Sequence, residues 1–167
     1  MNGSRPSRNS FYPAAPPIRL EMFSKILAAV DGSDNSRRAV GVAVELCRRL
    51  GSELVVVHVV QQPPYLFAAA GISPAALQQY FQDAKEEGWR YVNEALRKAS
   101  DAGVRARGEV VERAPSVVEA LTNYALNEKV DLIVTGTRGL GSFKKLLLGS
   151  VASGVVSHAH CPVLVVK

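Results

Sequence analysis

The stretch Asp131–Val151, DLIVTGTRGLGSFKKLLLGSV, decides how this chain is read. It opens on a short aliphatic run, Asp131 to Thr135, without polar alternation, which suits a strand covered on both faces. The run stops at Gly136; glycines recur at Gly139 and Gly149, and Ser150 follows, giving the pattern G-x2-G-x9-G-S. Glycines at a strand end let the backbone approach an anion and take dihedrals closed to other residues. Gly149-Ser150 then opens a short helix to about Ser157, whose first N–H groups and positive dipole end favour negative charge, with the Ser150 hydroxyl as a further donor. Turn formation alone would explain isolated glycines. The full spacing, between a buried strand and a helix, favours a phosphate loop. Arg138, Lys144 and Lys145 either reach phosphates or act as solvated loop charges that bias the local field. No G-x-x-x-x-G-K-[ST] occurs, and the G-x-G at Gly139 and Gly141 lacks the third glycine of a dinucleotide fingerprint.

Outward from this stretch, short apolar runs alternate with amphipathic segments. Lys25 to Val30, Glu53 to Val60, Arg105 to Val111, Asp131 to Thr135 and Pro162 to Val166 read as strands. Ser33 or Asp34 caps a helix whose apolar positions Val40, Ala43, Val44, Cys47 and Leu50 recur at helical spacing, with Gly51 as its C-terminal cap. Ser73-Pro74 opens a long helix to about Ser100, closed by Gly103, in which Gly88 marks a weak point or bend; Pro115 opens another to about Glu128. The expected α/β fold is an open five-stranded parallel sheet flanked by four helices, doubly wound in strand order 3-2-1-4-5 and Rossmann-like. Such sheets bind ligands outside the carboxyl ends of their strands, here the first, second and fourth. Asp31, at the end of the first strand, is placed to accept hydrogen bonds from sugar hydroxyls; capping within Asp31-Gly-Ser-Asp34 is the competing role.

Composition narrows the classes. The chain has 167 residues, 47% apolar and 21% charged, which fits one well-filled core. Net charge is +5, and Arg5, Arg8, Arg19 and Glu21 supply +2 of it, leaving too little elsewhere for a nucleic-acid surface. Residues 1–22 hold four prolines and no apolar period, so a flexible arm is expected there, with a single domain over 23–167. No apolar run suits a membrane span or a signal peptide, and Cys47 and Cys161, lacking C-x-x-C spacing, read as buried thiols; a cytoplasmic protein is expected. His58, His158 and His160 show no metal-ligand spacing and are assigned structural or surface roles.

Ile26-Leu-Ala-Ala-Val-Asp-Gly-Ser33, Val55-Val-Val-His-Val59, the glycine pattern and Cys161-Pro-Val-Leu-Val-Val166 together resemble the universal stress protein family, over about residues 23–167, and specifically its ATP-binding branch. The resemblance implies that Asp31 contacts the ribose side of ATP and that the Val59 backbone meets the adenine edge. It also implies that Gly136, Gly139, Gly149, Ser150 and Val151 line ribose and phosphates, with Thr137 and Arg138 between the first two glycines in the same set. Ala29-Val30 stands where some members place Pro-Thr, leaving backbone contacts there. Mg2+ or Mn2+ held through the phosphates, and a homodimer formed through strand 162–167, are implied as well; the uncovered apolar character of that last segment points the same way. The leading reading is a regulatory ATP-binding module in a stress response. The alternatives are a slow ATPase or nucleotidyl-group transferase on the same fold, and a dimer scaffold with no nucleotide. Residues 136–158 contain no Asp or Glu, which disfavours efficient catalysis. Residues 61–73, QQPPYLFAAAGIS, are expected to be mobile and to fold over a ligand.

Overall fold

The computed structural model describes residues 23–62, 73–139 and 148–167. The elements run β1 (Lys25–Ala29), α1 (Asp34–Leu50), β2 (Glu53–Gln61), α2 (Pro74–Asp101), β3 (Ala106–Ala114), α3 (Val117–Asn127), β4 (Leu132–Gly136), α4 (Ser150–His158) and β5 (Val163–Val166). The five strands form one parallel sheet in the order β3-β2-β1-β4-β5, as expected from the sequence. β1 is central: Ile26 pairs with Leu54 on one side and with Leu132 on the other. The connection order reverses between β1 and β4, and the chain leaves both strands at the same end of the sheet.

Strand alternation divides the core in two. Ile26, Ala28, Leu54, Val56 and Val134 face α1 and α2, meeting Ala39, Val40, Ala43, Phe81, Val92 and Ala95. Leu27, Val55, Val57 and Ile133 face the other way, against Leu121, Ala125 and Val155 of α3 and α4. Ile26, Leu27, Leu54 and Ile133 are wholly buried, and each such aliphatic side chain contributes about 1.5–3 kcal/mol relative to exposure.

The helix ends follow the sequence signals. Ser33 is the cap of α1, its hydroxyl accepting from the Ser36 N–H at 3.2 Å, and Gly51 closes the helix at φ 72°. Ser116, one residue beyond Pro115, caps α3. Three expectations need correction. β3 extends to Ala114, because Val59 and Gln61 of β2 continue the ladder past Val111 across an irregular step. Gly88 is no bend: it is buried in a continuous helix, and a Cβ there would collide with the His58 ring. Cys47 is buried, but Cys161 is only partly so. Burial pushes the Cys47 thiol up to about 11. The expected arm at 1–22, Lys144, Lys145 and all but the ends of the 61–73 segment lie outside the described residues.

Candidate functional site

A cleft of about 670 Å³ opens at the carboxyl end of the sheet. Of the eleven residues singled out in the sequence, it is lined by Ala29, Val30, Asp31, Val59, Gly136, Arg138, Gly139, Gly149, Ser150 and Val151. Thr137 is the exception. It braces the loop instead, its N–H donating to Val166 O at 2.9 Å and its carbonyl accepting from the Gly149 N–H at 2.7 Å. These two bonds tie the end of β4 to β5 and to the start of α4. The Thr137 hydroxyl oxygen is buried, with no hydrogen-bond partner among the described residues.

At the start of α4, Gly149 holds extended backbone (φ −74°, ψ 161°), and among the described residues no side chain caps the helix. The first residues of α4, Ser150, Val151 and Ala152, line the cleft, and a helix start without a side-chain acceptor favours an anion. On the opposite lip, the β1–α1 turn passes through Gly32 at φ 80°. The Asp31 carboxylate accepts from the Ser33 N–H at 3.0 Å. The Ser33 hydroxyl and the Asn35 amide both donate to the Arg138 carbonyl, at 3.4 and 3.2 Å, so the β1–α1 turn grips the loop after β4. Gly139 lies so close to the Asp31 Oδ2 that a Cβ would overlap it. Asp31, Gly136, Gly139 and the α4 N-terminus, with more than a hundred residues between the first and the rest, thus converge on one cleft.

The two faces of the cleft differ because β2 alternates. Val57 and Val59 belong to the side of α3, where Val117 and Leu121 complete an apolar wall. His58 faces α2, where Tyr80, Ala84, Glu87 and Tyr91 form the other wall. The His58 Nδ1–H donates to Val30 O at 2.8 Å, since a carbonyl oxygen can only accept. The Tyr91 ring meets the imidazole edge-on, with centroids 5.6 Å apart. Glu87 Oε1 accepts from the Tyr91 hydroxyl at 2.6 Å and from the Arg90 guanidinium at 2.8 Å. That bond to Glu87, then partial burial, holds the Tyr91 phenol above its usual value.

Sequence reasoning missed this second wall. Beyond the site residues singled out in the sequence, His58, Glu87 and Tyr91 border the cleft, so Asp31 is not the one carboxylate there. Nothing in the α2 sequence distinguishes Glu87 or Tyr91 from its other polar and aromatic residues. Among the described residues, no group of three or more His, Cys, Asp and Glu side chains is arranged to hold a metal ion. No described helix is long and apolar enough to cross a membrane.

A doubly wound parallel sheet with a glycine-lined cleft at its switch point defines a nucleotide-binding type of α/β fold. Residues 22–167 match the universal stress protein family, and the chain belongs to that family. A universal stress protein of Methanocaldococcus jannaschii is 34% identical over 146 residues, spanning 87% of this chain and 83% of that protein. Among solved structures, a universal stress protein family member from Burkholderia pseudomallei is 32% identical with a TM-score of 0.69, over 87% of this chain and 97% of that one. A universal stress protein solved in complex with cAMP is 26% identical, TM-score 0.61, over 87% of this chain and 98% of the other.

Proposed function

We propose that this chain binds an adenine nucleotide, ATP, in the cleft at the carboxyl end of its sheet and acts as a regulatory module of a stress response in the cytoplasm. One observation carries the reading: the α4 N-terminus, without a side-chain cap among the described residues, and Asp31 line one cleft, whose volume lies within the usual range for small-molecule sites. The family member in complex with cAMP supports an adenine ligand.

In this reading the apolar wall of Val57, Val59, Val117 and Leu121 takes the base, and the Val59 backbone meets its edge. Asp31 accepts from the ribose hydroxyls, while the backbone of Ala29 and Val30 borders the sugar. Gly136, Gly139, Gly149, Ser150 and Val151 surround ribose and phosphates, and Arg138 adds a positive charge to the same lip. Mg2+ or Mn2+ accompanies the phosphates and is held mainly by them, neutralising part of their charge. An N–H cradle of this kind stabilises bound ATP about as well as its transition state, and such uniform binding does not speed chemistry.

The test is direct titration with ATP, together with mass analysis of any nucleotide released from acid-denatured protein. Gly149→Val places a β-branched side chain where phosphate and backbone approach. The dihedrals at Gly149 are ones that valine adopts, and in the folded variant ATP binding weakens at least about tenfold, roughly 1.4 kcal/mol. Unchanged affinity in the folded variant refutes the site.

A further inference from the structure

The turn that presents Asp31 is closed from within by the Ser33 N–H on the Asp31 carboxylate. It runs through Gly32 at φ 80°, a left-handed conformation that most residues avoid and that glycine also leaves readily. A second hold comes from a different element, 59 positions along the chain. A Cβ on Gly32 would lie 2.9 Å from Tyr91 Cδ1 and closer still to the rest of that ring edge, so the turn rests directly on the tyrosine. The ring is itself pinned. Its hydroxyl donates to Glu87, the Arg90 guanidinium carbon lies 5.6 Å from its centroid, and the His58 imidazole meets it edge-on. His58 is anchored in turn to Val30 O, one residue before Asp31.

Tyr91, together with Val30 and Ser36, also lies between two spaces. The large cleft lies on one side, and on the other is a pocket of about 130 Å³ between α1 and α2, lined by Gly32, Val40, Ala95 and Lys98 among others. Cutting back the ring would join them and leave the turn unsupported from below.

We infer that Tyr91 is a positioning residue: its ring holds the Asp31–Ser33 turn so that the Asp31 carboxylate faces the ribose hydroxyls of the bound nucleotide. The role rests on the nucleotide reading given above, and it acts through Asp31. A residue that merely supports folding would weaken all nucleotides equally. One that aims a carboxylate at hydroxyls alters the preference for nucleotides that have them.

The experiment compares ATP with 2′,3′-dideoxyATP by calorimetry, and measures amide exchange at Ser33, whose N–H donates to Asp31, in nucleotide-free protein. Wild type favours ATP by about tenfold, the scale of one hydrogen bond to a charged group. Tyr91→Ala brings that ratio to within about twofold, as does Asp31→Asn, and speeds Ser33 exchange at least about tenfold while Val155 in α4 is unchanged. Tyr91→Phe, which keeps the ring, restores the ratio. Tyr91→Leu, which keeps bulk without the flat face, gives the same collapse and serves if the alanine variant does not fold. A preserved ratio in Tyr91→Ala or Tyr91→Leu, or unaltered Ser33 exchange, overturns the assignment. Wild-type protein that binds neither nucleotide refutes the nucleotide reading instead, and Ser33 exchange then shows separately whether Tyr91 holds the turn.

Discussion

Gly136→Ala separates two reasons for one glycine. The sequence suggests that Gly136 lets a phosphate approach the end of β4. The structure adds a closer neighbour: a Cβ at this position would lie 2.8 Å from the carbonyl carbon of Asn35, 2.8 Å from its Cβ and 3.0 Å from its oxygen. Carbon atoms rest at about 3.5 Å or more, so the first turn of α1 would have to retreat by roughly 0.7 Å. That turn cannot yield like the tip of a long side chain, because the clash is with backbone. Its retreat would also pull on the Arg138 carbonyl, which Ser33 and Asn35 both hold. Overpacking of this kind costs about 1–3 kcal/mol. With a urea m-value of about 2 kcal/mol/M, the midpoint falls by about 0.5–1.5 M at constant slope. Nucleotide-free protein is the sample, so ligand loss cannot mimic the effect. An unchanged midpoint would show that α1 does not bear on β4 as described, and would leave phosphate access as the sole reason for the glycine.

Three further outcomes are expected. Burial pushes the Asp131 carboxyl up, but the Ser24 hydroxyl and the Ser24 and Lys25 N–H groups, at 2.6, 2.8 and 2.8 Å from its Oδ2, outweigh this and hold it below the usual carboxylate value. Its stabilisation is therefore present above about pH 4 and lost as pH falls through the depressed folded-state value; Asp131→Asn should remove that slope from acid unfolding curves, and an identical slope in both proteins refutes it. β5 is an edge strand, and its pairing with a second copy should give dimers in sedimentation at tens of micromolar; monomers there count against the interface. Purified protein should turn over ATP about once per minute or less, since Glu87 is engaged by Tyr91 and Arg90 and Asp31 by the turn; turnover above about one per second, abolished by Asp31→Asn, would make it an enzyme.

The sheet was legible because buried parallel strands write themselves as aliphatic runs, and the helix ends because Ser33, Gly51 and Ser73 carry local capping chemistry. The glycine spacing and Asp31 were legible for the same reason: each acts through its own backbone or its own strand end. The α2 wall was not. The amphipathic pattern of α2 says which face turns inward, but which strand tip Glu87 and Tyr91 reach depends on how the crossover sets the helix over β2. Gly88 shows the difference sharply. In sequence it is a weak helix former, and only the His58 ring beside it turns that weakness into a close fit. The extension of β3 also depended on its partner, since Glu112 and Arg113 interrupt the apolar run until β2 is laid alongside.

The cleft draws on β1, α1, β2, α2, α3, β4 and α4, and its last contributors in chain order among the described residues are Gly149 to Ala152. During synthesis the first strand, the turn after it and the whole α2 wall leave the ribosome long before the α4 N-terminus exists. A growing chain therefore has nothing complete to offer a nucleotide until almost all of the domain has been made. Ligand in the cell would act on finished molecules, retaining those already folded: at a hundred times its dissociation constant it adds about 2.7 kcal/mol to the native state and nothing to the nascent one.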